Sequence, residues 1–114
     1  MKKFLEVLAL YRKHGWRLER VLMSEATRAE LSEEGAVGDA ATFEGVAVKD
    51  SDFDAMWFRR EAQGGREAWE LRLVGEPPFA LFELFEADEA EEDREDVRRE
   101  MEARLGERVA PGGD

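Results

Sequence analysis

Over residues 2–14 the apolar positions recur at intervals of three and four, with Phe4, Leu5, Leu8 and Tyr11 in one stripe and Val7 and Leu10 widening it. That period is helical, so the chain opens with an amphipathic helix. Gly15 suits a left-handed stop, Lys13 and His14 suit the negative end of the helix dipole, and Trp16 can fold back onto Tyr11. The period then drops to two. In WRLERVLMS, residues 16–24, Trp16, Leu18 and Leu22 alternate with Arg17, Glu19, Val21 and Met23, which predicts a half-buried strand. Ser24 caps a short helix over EATRAELSEE, which ends at Gly35.

Small residues and glycines make 36–49 ambiguous between a strand around Phe43–Val48, bulged at Gly45, and a long loop. Three further runs, FDAMWFRR at 53–60, EAWELRLV at 67–74 and FALFELFE at 79–86, are separated by the short turn-rich connectors EAQGGR and GEPP. They predict an antiparallel meander. The last segment, ADEAEEDREDVRREMEARLGE, reads as an acidic helix with a capping box from Asp88 to Glu91 and oppositely charged pairs at Glu95–Arg99 and Glu100–Arg104. Its apolar stripe is thin, Val97, Met101 and Leu105 with Ala90, which predicts docking along the edge of a core and not at its centre. The expected fold is α+β: an antiparallel sheet of four to five strands, an N-terminal helix, a short helix after the first strand and an acidic C-terminal helix. Residues 1–108 form one domain and 109–114 a frayed tail.

The strand patterns differ in an informative way. Residues 67–74 set Trp69, Leu71 and Leu73 against Glu70 and Arg72, whereas 53–60 and 79–86 are apolar on both sides. Phe53, Ala55 and Trp57 oppose Met56 and Phe58, and Phe79, Leu81 and Phe85 oppose Ala80, Phe82 and Leu84. Two strands are therefore written for burial on both faces. The first helix covers one face. The short helix and loop 36–49, or a second copy of the chain, are the candidates for covering the other.

Composition narrows the chemistry. The chain has no cysteine and one histidine, His14, so cysteine-ligated metal sites, disulfides, thiol catalysis and multi-histidine sites are excluded. A net charge of −11 disfavours nucleic acid and anionic membrane as partners. Residues 1–23 carry six basic and two acidic groups, while 86–108 carry eleven acidic and five basic. The start of the chain resembles a leader only superficially, since Glu6, Arg12 and Lys13 interrupt it, and no apolar stretch is long enough to span a bilayer. The expected location is cytoplasmic.

Four features carry candidate chemistry. DSDFDAMWFRRE, residues 50–61, has Asp50, Asp52, Asp54 and Glu61 at calcium-loop spacing. Ala55 replaces the glycine of the sharp turn, however, and an extended 54–60 sets Glu61 about 20 Å from Asp54. The acids then form a hydrated strand entrance. His14 is a titratable base whose position suits capping better than catalysis. Arg59, Arg60 and Arg66, with Gln63, could gather an anion or make surface ion pairs. The acidic run 86–96 could face a basic partner or be a solvated helix surface.

No catalytic, cofactor or metal residue is assigned. The leading expectation is a non-enzymatic protein-interaction or homodimerising module using an aromatic second sheet face around Trp57 and Phe82. The alternative is a small-molecule or anion-binding protein, in one form an enzyme, with a pocket between sheet and helices lined by Trp16, Trp57 or Trp69 and an arginine at its mouth.

Overall fold

A computed structural model describes residues 2–33 and 42–109. Helix α1, Lys2–Lys13, leads into strand β1, Arg17–Met23, and helix α2, Glu25–Glu33. Strands β2, Thr42–Phe43, β3, Val46–Asp50, β4, Ala55–Glu61, β5, Glu67–Leu73, and β6, Ala80–Phe85, precede helix α3, Glu91–Val109. The helix end expected at Gly35, loop residues 36–41 and residues 110–114 of the expected tail lie outside the described residues, while Val109, expected to begin that tail, is the last residue of α3.

Local chemistry sets the element ends. Gly15 takes φ +85°, the amide of Trp16 donates to Tyr11 O at 3.0 Å and that of Gly15 to Arg12 O at 3.1 Å, so glycine terminates α1 as its sequence suggests. The Trp16 and Tyr11 rings meet edge-on at 6.0 Å. Ser24 Oγ accepts the Thr27 amide at 3.3 Å and so caps α2. Instead of a bulged strand, Phe43–Val48 holds a two-residue hairpin turn: Glu44 and Gly45 both take positive φ, 53° and 79°, which matches the twist of paired strands. The expected Asp88–Glu91 capping box does not form. Helix α3 starts at Glu91, and it is the Glu89 carboxylate that accepts the Glu86 amide, at 2.7 Å.

The fold is α+β, with a mostly antiparallel sheet in the order β2-β3-β1-β4-β5-β6 and the two-residue β2 at one edge. The β4-β5-β6 meander is present as expected. One pair departs from the antiparallel expectation: β3 lies parallel to β1, with Val21 opposite Val48 and Met23 opposite Asp50. Parallel pairing needs a long crossover, and α2 lies in it.

Each sheet face receives a helix from one end of the chain. Phe4, Val7, Leu8 and Tyr11 of α1 pack on Val21, Met23, Met56 and Phe58. Each such side chain contributes about 1.5–3 kcal/mol when fully buried. On the opposite face Met101 and Leu105 of α3 pack on Leu22, Ala55, Trp57, Trp69, Leu71 and Phe85. Thus α3, expected at the edge of a core, closes the second face, which neither the short helix and loop nor a second copy is needed to do. Gly106 lets it sit close, because a β-carbon there would meet the Phe53 ring at 3.2 Å.

The arginines of α3 explain how so thin an apolar stripe suffices. Arg98, 1% exposed, lies 4.3 Å from the Trp69 ring centroid, while Arg94 stands over Phe85 at 5.8 Å and Arg108 over Phe79 at 4.0 Å. With Val97, Met101 and Leu105 these make a continuous helical stripe whose aliphatic stems cover apolar surface. A second departure lies in β1. A bulge between Leu18 and Arg20 shifts the register, so Leu18 joins Val21 and Met23 beneath α1 while Leu22, with Arg20, turns to α3.

Candidate functional site

The acidic stretch that opens β4 is divided among three tasks. The Asp54 carboxylate accepts the Ser24 amide at 2.8 Å and the Thr27 hydroxyl at 2.6 Å, tying the entrance of β4 to the first turn of α2. Asp50 pairs with Arg28 at 2.8 Å. Glu61 ends β4 on the far side, 4.0 Å from both Arg17 and Arg59. The calcium-loop acids therefore do not converge, and no group of three or more His, Asp and Glu side chains among the described residues is arranged to hold a metal ion. Asp52 lines a cleft of about 760 Å³ with Ser24, Lys49, Phe53 and Glu102, at the carboxyl ends of the parallel strands β1 and β3. Its charges are largely matched within the wall, since Lys49 lies 3.7 Å from Glu102 and the Trp57 indole donates to Glu102 at 2.8 Å.

The arginines also separate. Neighbours in a strand point to opposite faces. Arg59 lies on the α3 face, 3.4 Å from both Glu19 and Glu67, whereas Arg60 lies on the α1 face, 4.8 Å from the Trp16 ring and donating to His14 O at 3.0 Å. Arg66 folds onto Gln63 O at 3.1 Å. The three form no common anion site. What Arg60 does is complete the end of α1, using the backbone of the one histidine.

A charge network does assemble under α3, joining Glu91, Glu95 and Arg98 at helical spacing to Arg20 and Glu67 of the sheet. Arg98 bonds Glu91 and, at 3.0 Å, Glu95; Glu95 also takes Arg20 at 2.8 Å, and Arg94 reaches Glu67 at 3.1 Å. The Trp69 indole bonded to Glu67, helped by Arg59 and Arg94, holds the Glu67 carboxyl below the usual carboxylate range. Bonds from Arg20 do the same for Glu95. Within the acidic start of α3, Glu95 thus ties the helix to β1 directly, and Glu91 holds the Arg98 side chain that packs on Trp69.

Trp57 and Phe82, expected on one face, lie on opposite faces. Trp57 is fully buried beneath α3. Phe82 stands opposite Glu70, whose carboxylate accepts the Tyr11 hydroxyl of α1, so Phe82 belongs to the α1 face. Burial, reinforced by that Glu70 bond, pushes the Tyr11 phenol well above its ordinary range. Helix α1 covers β3, β1 and β4 but leaves the β5-β6 half of this face partly open, and Phe82 remains 57% exposed between Ala80 and Leu84. Between α1 and β5 lies a small cavity of about 250 Å³ lined by Leu10, Tyr11, His14, Trp16, Glu70 and Arg72.

Strand β6 is also the last in the sheet order, so one of its long sides is unpaired among the described residues. The Leu73 amide donates to Phe79 O at 2.9 Å. By antiparallel alternation Leu81, Glu83 and Phe85 bond to β5, which leaves the amides and carbonyls of Ala80, Phe82 and Leu84 directed outward. The same three residues carry apolar side chains, Phe82 exposed and Ala80 and Leu84 half-buried. Among the described residues no helix is long and apolar enough to cross a membrane. Comparison with family models, with curated proteins and with solved structures finds no match to this chain.

Proposed function

We propose that this protein is a non-enzymatic protein-interaction module whose docking surface is the outer edge of β6 together with the uncovered strip of the α1 face. The observation that carries this is the coincidence at Ala80, Phe82 and Leu84 of unpaired backbone groups with an apolar row centred on an aromatic 57% exposed. Edge strands are ordinarily blunted by lysine, proline or bulges. Strand β6, ALFELF, has none of these and carries a single charge, Glu83. Its backbone supplies affinity and its alternate side chains specificity, which is the chemistry of strand addition.

A photoreactive phenylalanine analogue at position 82, introduced in cells that produce the chain, tests this. Irradiation should give discrete protein adducts from position 82 and none from the same analogue at Leu5, an exposed apolar residue of α1. Absence of adducts at 82, or equal labelling from both positions, overturns the proposal.

The cavity beside Trp16 favours a second reading, a small-anion or metabolite site with Arg72 at its mouth. Its volume falls just below the range of about 300–1,000 Å³ usual for ligand pockets. A quench or shift of tryptophan fluorescence on titration with phosphate or carboxylates, abolished by Trp16→Phe, would support that reading; an unchanged spectrum removes it.

A further inference from the structure

We infer that the partner of β6 is a second copy of the same strand, paired antiparallel about a two-fold axis that passes through Phe82. This rests on the reading of β6 as a docking edge and supplies the occupant.

Only residues whose backbone groups point outward can form hydrogen-bonded pairs across a new strand boundary, and here those are Ala80, Phe82 and Leu84. A two-fold axis at Phe82 pairs Ala80 with Leu84 of the second copy, Phe82 with itself and Leu84 with Ala80. All three outward residues are then used, in about six backbone hydrogen bonds. On the α1 face the contacts are wholly apolar. On the α3 face Leu81 meets Glu83 and Phe79 meets Phe85, so β6 brings no like charges directly opposite each other.

The neighbouring registers are worse for stated reasons. With the axis at Glu83, two carboxylates stand directly opposite, which is destabilising. With the axis at Leu81, Leu84 falls opposite Pro78, which has no amide to donate. The strand is thus close to a palindrome about Phe82, and self-pairing is the use that symmetry fits.

The overall charge of −11 opposes association of two copies, but the flanks of β6 carry both signs. Lys3 is paired with Glu76 at 2.7 Å, Arg66 lies 3.9 Å from Glu86, and Arg94 reaches Glu67 and Glu86 O. Joined by one short strand, the dimer should be reversible and dissociate in the micromolar range.

Because residue 82 faces its own copy, charge substitution there gives a register-specific test. By sedimentation equilibrium the wild type should move with concentration from 13.0 kDa toward twice that mass. Phe82→Lys and Phe82→Glu, each alone, should weaken self-association by about thirtyfold or more, through loss of the aromatic pair and gain of a like-charge pair. An equimolar mixture of the two should recover the dimer. Leu84→Pro, which removes an outward amide and leaves the β5 ladder intact, should also be monomeric with unchanged far-ultraviolet circular dichroism.

A wild type that stays at 13.0 kDa to millimolar concentration overturns the inference, as do variants that still dimerise or a mixture that stays monomeric. If the photoreactive position 82 then still yields adducts with other proteins and not with itself, self-pairing has failed while the docking edge stands.

Discussion

Leu105→Ala probes whether α3 is central to the fold. Leu105 is fully buried among Trp57, Trp69, Leu71 and Phe85, and only Met101 and the partly buried Val97 share its apolar duty on α3. Truncating a buried leucine to alanine costs about 2–5 kcal/mol, from lost transfer energy and the residual cavity. Alanine's better helix propensity returns only a few tenths of that. For a domain of this size each 1 kcal/mol moves the melting temperature by about 4–6 °C, so a fall of roughly 8–30 °C is expected. Thermal unfolding followed by circular dichroism gives the shift. Tryptophan emission at 25 °C reports in parallel whether α3 still shields Trp57 and Trp69. Arg104→Ala, on the exposed side of α3, is the control and should change stability by under about 0.5 kcal/mol. If Leu105→Ala matches that control, α3 does not close the second face and the account of the fold is wrong.

Asp54→Ala removes the acceptor of the Ser24 amide and the Thr27 hydroxyl and should cost about 1–2 kcal/mol in urea unfolding; a change below about 0.5 kcal/mol would show that the β4 entrance is not tied to α2. Glu67 and Glu95 have folded pKa values below their unfolded ones, so their contribution is present above about pH 4.3 and is lost as pH falls through the folded values. Chemical unfolding between about pH 5 and about pH 3 should show this decline, with a shallower slope in Glu95→Gln; equal slopes would contradict it. Millimolar calcium should leave the melting temperature unmoved, since Asp50, Asp54 and Glu61 are engaged apart from one another, and a rise of several degrees would refute that geometry.

Much of this fold is legible where sequence and structure share one local cause. Gly15 and Trp16 finish α1 through short-range hydrogen bonds, and the meander follows from strand periodicity and brief connectors. The two-sided apolar pattern of β4 foretells a sandwiched sheet, which the structure contains. The errors arise where the determinant is non-local or where residue class misleads. A one-residue bulge reverses the face of Leu18 relative to Leu22, and nothing in RLERVLM announces it. Counting apolar residues undervalued α3, because Arg94, Arg98 and Arg108 act there as packing residues whose charges are satisfied by Glu67, Glu91 and Glu95 or stacked on rings. The candidate edge was half legible: Phe82 stood out as a surplus aromatic, but its outward backbone and its separation from Trp57 depend on strand order.

Amide hydrogen exchange along β6, measured by NMR as a function of protein concentration, reads out whether this edge pairs with its own copy. The amides of Leu81 and Glu83 bond within the sheet and should be protected at every concentration. Those of Phe82 and Leu84 face outward and should exchange rapidly in dilute solution, gaining protection in step with the rise in mass as β6 meets its second copy. Exchange at Phe82 and Leu84 that stays rapid at all concentrations would contradict the pairing of this edge with itself.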